Sequence, residues 1–219
     1  MTVFSPPDVS IRHDVVRTLI LAGPLVVGQL TSFGMNFVDT VMAGRISTVD
    51  LGAIAVGSSV WAAGFLFALG VLMAVSATVS QLDGAGRNRQ VGEFVRQSLW
   101  LSLGLGVLLF FAMRSTGWLM RWIEVDTAVA AVALGYLDAI SWGAPALCLM
   151  MALRFFCEGT GYTRPTMYVG VLGILCNIPL NYVLMFGNFG FPALGAVGAG
   201  WATAIVFWLQ LIALAIWIG

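Results

Sequence analysis

Charged residues are scarce in this chain: only 9% of its 219 residues are Asp, Glu, Lys or Arg. Soluble domains carry roughly 25% charged residues, whereas 60% of this chain is hydrophobic. The composition therefore predicts an integral membrane protein. Lysine is absent, the formal net charge is zero and no run of basic residues occurs, which argues against nucleic acid as a partner. We expect any ligand to bind inside the helix bundle, with the lipid bilayer around it.

Histidine and cysteine are also too few for the chemistry they commonly support. His13 is the only histidine and precedes the first apolar run, so a Ser–His pair within the membrane is excluded. The three cysteines, Cys148, Cys157 and Cys176, lack C-x-x-C spacing and are interpreted as small buried apolar side chains. We therefore predict that the protein is not an enzyme and carries no cofactor.

Apolar runs fill most of the sequence, and six of them reach the length of about 20 residues that a bilayer core requires. They predict an all-α, polytopic membrane protein with a six-transmembrane-helix bundle at residues 16–219. Residues 1–15 are predicted to be a cytoplasmic lead-in rather than a cleaved signal peptide. The six predicted spans are residues 16–44, 51–82, 94–113, 127–153, 166–186 and 196–218.

Arginine predicts the orientation, because cytoplasmic loops carry an excess of basic residues. A cytoplasmic N-terminus puts more arginines inside than outside, and six spans then leave both termini in the cytoplasm. The cytoplasmic arginines would be Arg12, Arg17, Arg87, Arg89, Arg96, Arg154 and Arg164, and the external ones Arg45, Arg114 and Arg121.

Two predicted cytoplasmic connections resemble each other. Each contains a G-x-G, at Gly84–Gly86 and Gly159–Gly161. A dinucleotide site would need a preceding strand, and none is predicted, so both segments are interpreted as tight turns between helices. Arg154 and Glu158, four residues apart just before the second turn, are predicted to form an ion pair.

Asp39 is the most informative residue, because it lies in the first apolar run. An ionised acid near the bilayer centre costs on the order of 3 kcal/mol, and such residues commonly mark functional sites. We expect it to face protein or water, with Asn177, Asn181 and Thr203 as candidate partners. A second acid, Asp138, lies in the fourth span and is ranked below Asp39.

Asn177 and Asn181 share a helix face because they are four residues apart, and Pro179 between them loosens the helix backbone. A carboxylate, two amides and a hydroxyl supply hard oxygen ligands, which suit a hard cation such as Na+, or a proton, rather than zinc or copper. The alternative is that the asparagines only join helices through hydrogen bonds. The burial of a carboxylate favours the cation or proton site.

Pro24 lies in the same run as Asp39 and is predicted to act as a hinge, as is Pro179 in the fifth span. Close packing through the neighbouring small residues is the alternative interpretation. Several residues are predicted to line a cavity in the bundle: Gln29, Phe33, Met35, Asn36 and Asp138.

The sequence resembles the multidrug and toxic compound extrusion (MATE) family, in particular its bacterial NorM-like branch. The most specific segments are N-F-V-D-T-V-M-A-G at residues 36–44 and C-N-I-P-L-N at residues 176–181. Further matching stretches, in the same order, are residues 81–86, 159–165 and 195–203.

The resemblance implies an antiporter of the bacterial inner membrane that exports organic, often cationic, small molecules in exchange for Na+ or H+. The family's cation or proton site corresponds to Asp39, Asn177, Asn181 and Thr203, with Na+ held by the first three if coupling uses sodium. In some relatives the position of Asn181 is acidic, so the choice between Na+ and H+ stays open.

Family members have two six-helix lobes, and the resemblance places this sequence in the N-terminal lobe. The C-terminal lobe, or another lobe in its place, is therefore an expected partner. Two alternatives stay open: a lipid-linked oligosaccharide flippase of the same superfamily, and a membrane protein that binds a partner without transporting. A flippase cavity is typically basic, whereas the arginines here lie in predicted loops.

Overall fold

The computed structural model describes residues 11–218, and these residues form eight α-helices joined by short connections. Residues 1–10 of the predicted lead-in, and Gly219, lie outside the described part. The helices are α1 (Ile11–Gly44), α2 (Thr48–Gly84), α3 (Asn88–Arg114), α4 (Gly117–Trp122), α5 (Thr127–Ser141), α6 (Ala144–Gly159), α7 (Arg164–Phe186) and α8 (Ala196–Ile218).

The eight helices correspond in order to the six predicted spans, so the predicted helical membrane bundle is confirmed. Four helical segments of the described chain are long and apolar enough to cross a membrane, and one of them combines α3 with α4. A fifth is obtained when α5 and α6 count as one span. The remaining predicted span corresponds to α1, which begins at Ile11 and so includes the last residues of the predicted lead-in.

The fourth span differs from its prediction as one continuous helix over residues 127–153. α5 and α6 meet at a 50° bend, and Trp142 and Gly143 separate them. Pro145 stands in the first turn of α6, where proline is tolerated because the N–H groups of a first turn have no helical partner. In the third span, α3 and α4 are likewise separated by a two-residue turn.

The helices pack closely because glycines face backbone and aromatic groups on their neighbours. α1 packs mainly against α7, α3 against α6, and α7 against α8. A Cβ atom added to Gly106 of α3 would lie 2.5 Å from the Cα atom of Pro145 in α6. One added to Gly57 of α2 would lie 2.6 Å from the ring of Tyr136 in α5. The predicted packing through small residues is therefore present.

Both G-x-G segments are tight turns, as predicted. Gly86 and Gly161 adopt positive φ angles of 70° and 74°, which glycine accepts without a steric penalty. In each turn the residue after the glycine donates its backbone N–H to a carbonyl five residues back: Arg87 to Leu82, and Tyr162 to Cys157. These hydrogen bonds satisfy carbonyls that a helix end leaves free.

The opposite end of the bundle is held by Asp50 in the first turn of α2. Its carboxylate accepts the backbone N–H of Ala196, the first residue of α8, at 2.7 Å. Ser47, the N-cap of α2, accepts the backbone N–H of Asp50 at 3.0 Å. The connection between α1 and α2 and the one between α7 and α8 therefore lie together, which positions the start of α8 beside the end of α1.

Candidate cation site and cavity

The four residues predicted to form the polar site come together from three helices. Asp39 of α1 is 4% exposed, Asn177 and Asn181 of α7 are both 0% exposed, and Thr203 of α8 is 7% exposed. Helix periodicity places the two asparagines on one face, and the packing of α7 between α1 and α8 turns that face toward Asp39.

Hydrogen bonds join all four side chains. Asn181 Nδ2 donates to Asp39 Oδ1 and also lies 3.0 Å from Asn177 Oδ1. Thr203 Oγ1 donates to Asp39 Oδ2 at 3.3 Å. The carboxylate thus accepts from two different helices, which compensates part of the cost of removing it from water.

Two amide atoms in this cluster have no hydrogen-bond partner among the described residues: Asn177 Nδ2 and Asn181 Oδ1. A buried unsatisfied polar atom calls for an explanation. The free Asn181 oxygen lies on the same side chain that contacts Asp39, so carboxylate, amide and hydroxyl oxygens are close together. Hard oxygen donors of this kind suit Na+, and a carboxylate alone can take up a proton.

A cavity of about 500 Å³ opens beside Asp39. Its walls are largely aromatic and methionine side chains, including Trp61, whose ring stacks on that of Phe207 with centroids 6.2 Å apart. Asp39 and Thr203 line one part of it, and Gln29, Arg154 and Glu158 line another. Apolar walls with a few polar groups are typical of sites for organic ligands.

Of the residues predicted to line a cavity, four do so: Gln29, Phe33, Met35 and Asn36. Asp138 does not belong to the lining, and that expectation is corrected. Its carboxylate pairs with Arg114 of α3 at 2.7 Å, and the Arg114 guanidinium lies over the rings of Phe110 and Trp142. The face of α5 that carries Asp138 turns toward α3, and the carboxylate reaches an arginine at the end of that helix.

Other cavity residues were not predicted from the sequence. Tyr136 of α5 is 2% exposed and lines the cavity together with Asp39. Gln210 of α8 also lines it and donates its amide to the carbonyl of Val169 at 3.0 Å. A lone tyrosine or glutamine in an apolar helix carries no spacing signal, although its polarity at membrane depth was a signal that could have been weighed.

The predicted ion pair between Arg154 and Glu158 is present, with Nε and Oε1 2.7 Å apart. Pro24 and Pro179 lie inside α1 and α7, neither of which is interrupted. Near Pro24, the hydroxyls of Thr31 and Ser32 both donate to the carbonyl of Gly28, a pattern that often bends helices. Hinge motion at the two prolines stays a prediction.

The fold and the site define a polytopic helical membrane protein whose bundle encloses an apolar cavity with a buried carboxylate. The sequence matches the MatE family over residues 24–183. The chain belongs to the MatE family, which confirms the resemblance found in its motifs.

Several known proteins are similar to this chain. The multidrug resistance protein MdtK of Yersinia enterocolitica is 44% identical over 195 residues, which cover 89% of this chain and 43% of that protein. A solved structure of a multidrug resistance MATE family transporter in an outward-facing conformation matches with a TM-score of 0.83 at 24% identity, covering 93% of this chain and 44% of that one.

The solved eukaryotic MATE transporter AtDTX14 matches with a TM-score of 0.85 at 18% identity, covering 93% of this chain and 45% of that one. At such low identity these structures establish the shared fold alone. The chain spans less than half the length of the relatives it matches.

Proposed function

We propose that this chain is the N-terminal lobe of a multidrug efflux transporter that exports organic, often cationic, compounds in exchange for Na+ or H+. The observation that carries the proposal is the position of Asp39, a buried carboxylate at the wall of an apolar cavity. The name of the MdtK relative supports the efflux of drugs.

Exchange follows from competition for one carboxylate. An organic cation in the cavity and a coupling ion at the Asp39 cluster would each neutralise the same negative charge. Binding of one therefore weakens binding of the other, and this differential affinity is what an exchanger needs to link two conformations. Na+ would bind the oxygens of Asp39, Asn181 and Thr203, with Asn177 holding Asn181 in place.

Transport requires a second lobe in this proposal. The chain covers 43% of the MdtK relative, and alternating access in transporters built from repeats moves one half against the other around a central site. The partner is therefore the C-terminal lobe or another lobe of the same kind, and the proposed location is the bacterial inner membrane.

The test is titration of Na+ into the purified chain in lipid nanodiscs, by calorimetry at neutral and acid pH, with Asp39→Asn and Asp138→Asn. We expect saturable binding that weakens at acid pH, is lost in Asp39→Asn and persists in Asp138→Asn, whose carboxylate pairs with Arg114 outside the cavity. A proton-only site would instead show no Na+ binding but an acid-dependent change in tryptophan fluorescence that Asp39→Asn abolishes. If Asp39→Asn alters neither signal, the proposal is wrong.

A further inference from the structure

The cavity has a second polar group on the wall formed by α1 and α6. Arg154 Nε lies 2.7 Å from Glu158 Oε1, and Arg154 Nη2 lies 3.1 Å from Gln29 Oε1. The Arg154 and Glu158 side chains are 21% and 15% exposed, so the pair is only partly open to the cavity. All three residues belong to the cavity lining.

Arg154 keeps unused hydrogen-bond donors in this arrangement. A guanidinium carries five N–H groups, and the contacts found within residues 11–218 use one on Nε and one on Nη2. Glu158 holds the guanidinium from its Nε side. The Nη side faces Gln29, whose amide oxygen is a neutral and therefore weaker acceptor than a carboxylate.

A further unsatisfied donor lies nearby. Thr166 of α7 lines the cavity, is 4% exposed, and its Oγ1 has no hydrogen-bond partner within the described part of the chain. It packs directly on α1: a Cβ atom added to Gly28, the residue before Gln29, would lie 3.3 Å from Thr166 Cγ2. A hydroxyl rotates readily, so an acceptor placed beside Gln29 would give this group a partner.

The two polar groups are separated along α1. Ten residues separate Gln29 from Asp39, which corresponds to about 15 Å at 1.5 Å per residue. The side chains between them along the cavity include Phe33 and the stacked rings of Trp61 and Phe207. The cavity therefore offers a negative group, an apolar middle and a positive group held by a replaceable acceptor.

We propose that Arg154 binds a carboxylate of the transported compound, displacing Gln29 from Nη2, while an amine of the same compound faces Asp39. The substrate class is thus elongated aromatic amines that also carry a carboxylate. Glu158 acts as a positioning residue, since it orients the guanidinium and neutralises it while the cavity holds no ligand. This assignment rests on the proposed function for the amine end alone.

The experiment compares two rigid probes of equal length, 4′-(aminomethyl)biphenyl-4-carboxylic acid and its methyl ester. Calorimetry measures the binding of each to the full chain in nanodiscs. We expect the acid to bind about tenfold more tightly than the ester, because a charge-assisted hydrogen bond is roughly twice as strong as a neutral one. Equal affinities, tighter binding of the ester, or no saturable binding of the acid would overturn the assignment.

Gln29→Glu is the variant that isolates Arg154. It keeps the size of the side chain and places a permanent carboxylate on Nη2, so the preference for the acid should disappear. Asn36→Asp is the matched control: it also lines the cavity and adds the same charge to the same helix, seven residues away. Any general repulsion of the acid acts in both variants, and an equal loss of preference in both would contradict the proposal.

Two further variants separate this proposal from the function it builds on. Arg154→Gln combined with Glu158→Gln removes both charges together, and the preference for the acid should again vanish while the ester still binds. Asp39→Asn should weaken acid and ester by the same factor and leave their ratio unchanged. If Asp39→Asn has no effect on either probe, the amine site fails, whereas the acid-to-ester ratio still tests Arg154.

Discussion

At the scale of single residues, the site depends on how a buried carboxylate is compensated. Asp39 accepts hydrogen bonds from Asn181 and Thr203, and Asn181 shares its amide with Asn177. The two contacts differ in quality, since the Thr203 contact at 3.3 Å is longer than the 2.5–3.0 Å of ordinary hydroxyl hydrogen bonds. Asn181 therefore carries most of the compensation.

This difference predicts an order of stabilities. Asn181→Leu removes the donor that contacts both Asp39 and Asn177, and leaves the carboxylate with the weaker partner alone. We expect a loss of about 1–3 kcal/mol in unfolding free energy. Thr203→Val removes one long hydrogen bond and should cost about 1 kcal/mol or less.

Thermal unfolding in detergent, followed by tryptophan fluorescence, measures both variants. The double variants with Asp39→Asn are the control: once the charge is gone, the cost of losing Asn181 should shrink. A larger loss for Thr203→Val than for Asn181→Leu would contradict this account of the network.

At the scale of helices, Asp50 links two elements that are far apart in sequence. It lies in the first turn of α2, where a carboxylate is favourable near the helix N-terminus, and it accepts the first N–H of α8. α8 carries Thr203 two turns further on. The position of that hydroxyl beside Asp39 therefore depends partly on Asp50.

Substitution of Asp50 should loosen the start of α8. We expect Asp50→Ala to lower the unfolding free energy by about 1–2 kcal/mol, because it leaves the Ala196 N–H without its acceptor. Hydrogen exchange at the first amides of α8 should accelerate. Asp50→Asn keeps an oxygen acceptor and should retain most of the protection, so equal exchange in the two variants would show that the contact is unimportant.

At the scale of the whole molecule, the arrangement of helix ends agrees with alternating spans. The Asp50 contact brings the α1–α2 and α7–α8 connections to one end of the bundle. Arg45 lies in the first of these connections, and Arg87 lies in the tight turn after α2, at the other end. The excess of arginine on one side then predicts which end faces the cytoplasm.

Reporter fusions test this orientation. Alkaline phosphatase joined after Ser115 should be active, because that site is predicted to lie outside, whereas green fluorescent protein joined after Ile218 should fluoresce in the cytoplasm. A phosphatase fusion after Gly86 is the negative control. Activity at Gly86 with none at Ser115 would mean that the bundle is inserted in the opposite direction.

The sequence by itself determined the class of the protein, because helix formation in a bilayer follows from local composition. Long apolar runs must satisfy their backbone hydrogen bonds internally, so the six spans could be predicted to within a few residues. The break in the fourth span was missed, although Gly143 and Pro145 mark it, because neither its hydropathy nor its length shows where a helix bends.

Only the tertiary structure decided which polar residues meet. Asp39, Asn181 and Thr203 could be proposed as a set because each is costly alone in a membrane, and packing of α7 between α1 and α8 brings them together. Asp138 has the same local signal, yet it pairs with Arg114. The contact of Arg154 with Gln29 joins residues 125 positions apart, and a distance of that kind depends on how whole helices cross, which no local pattern records.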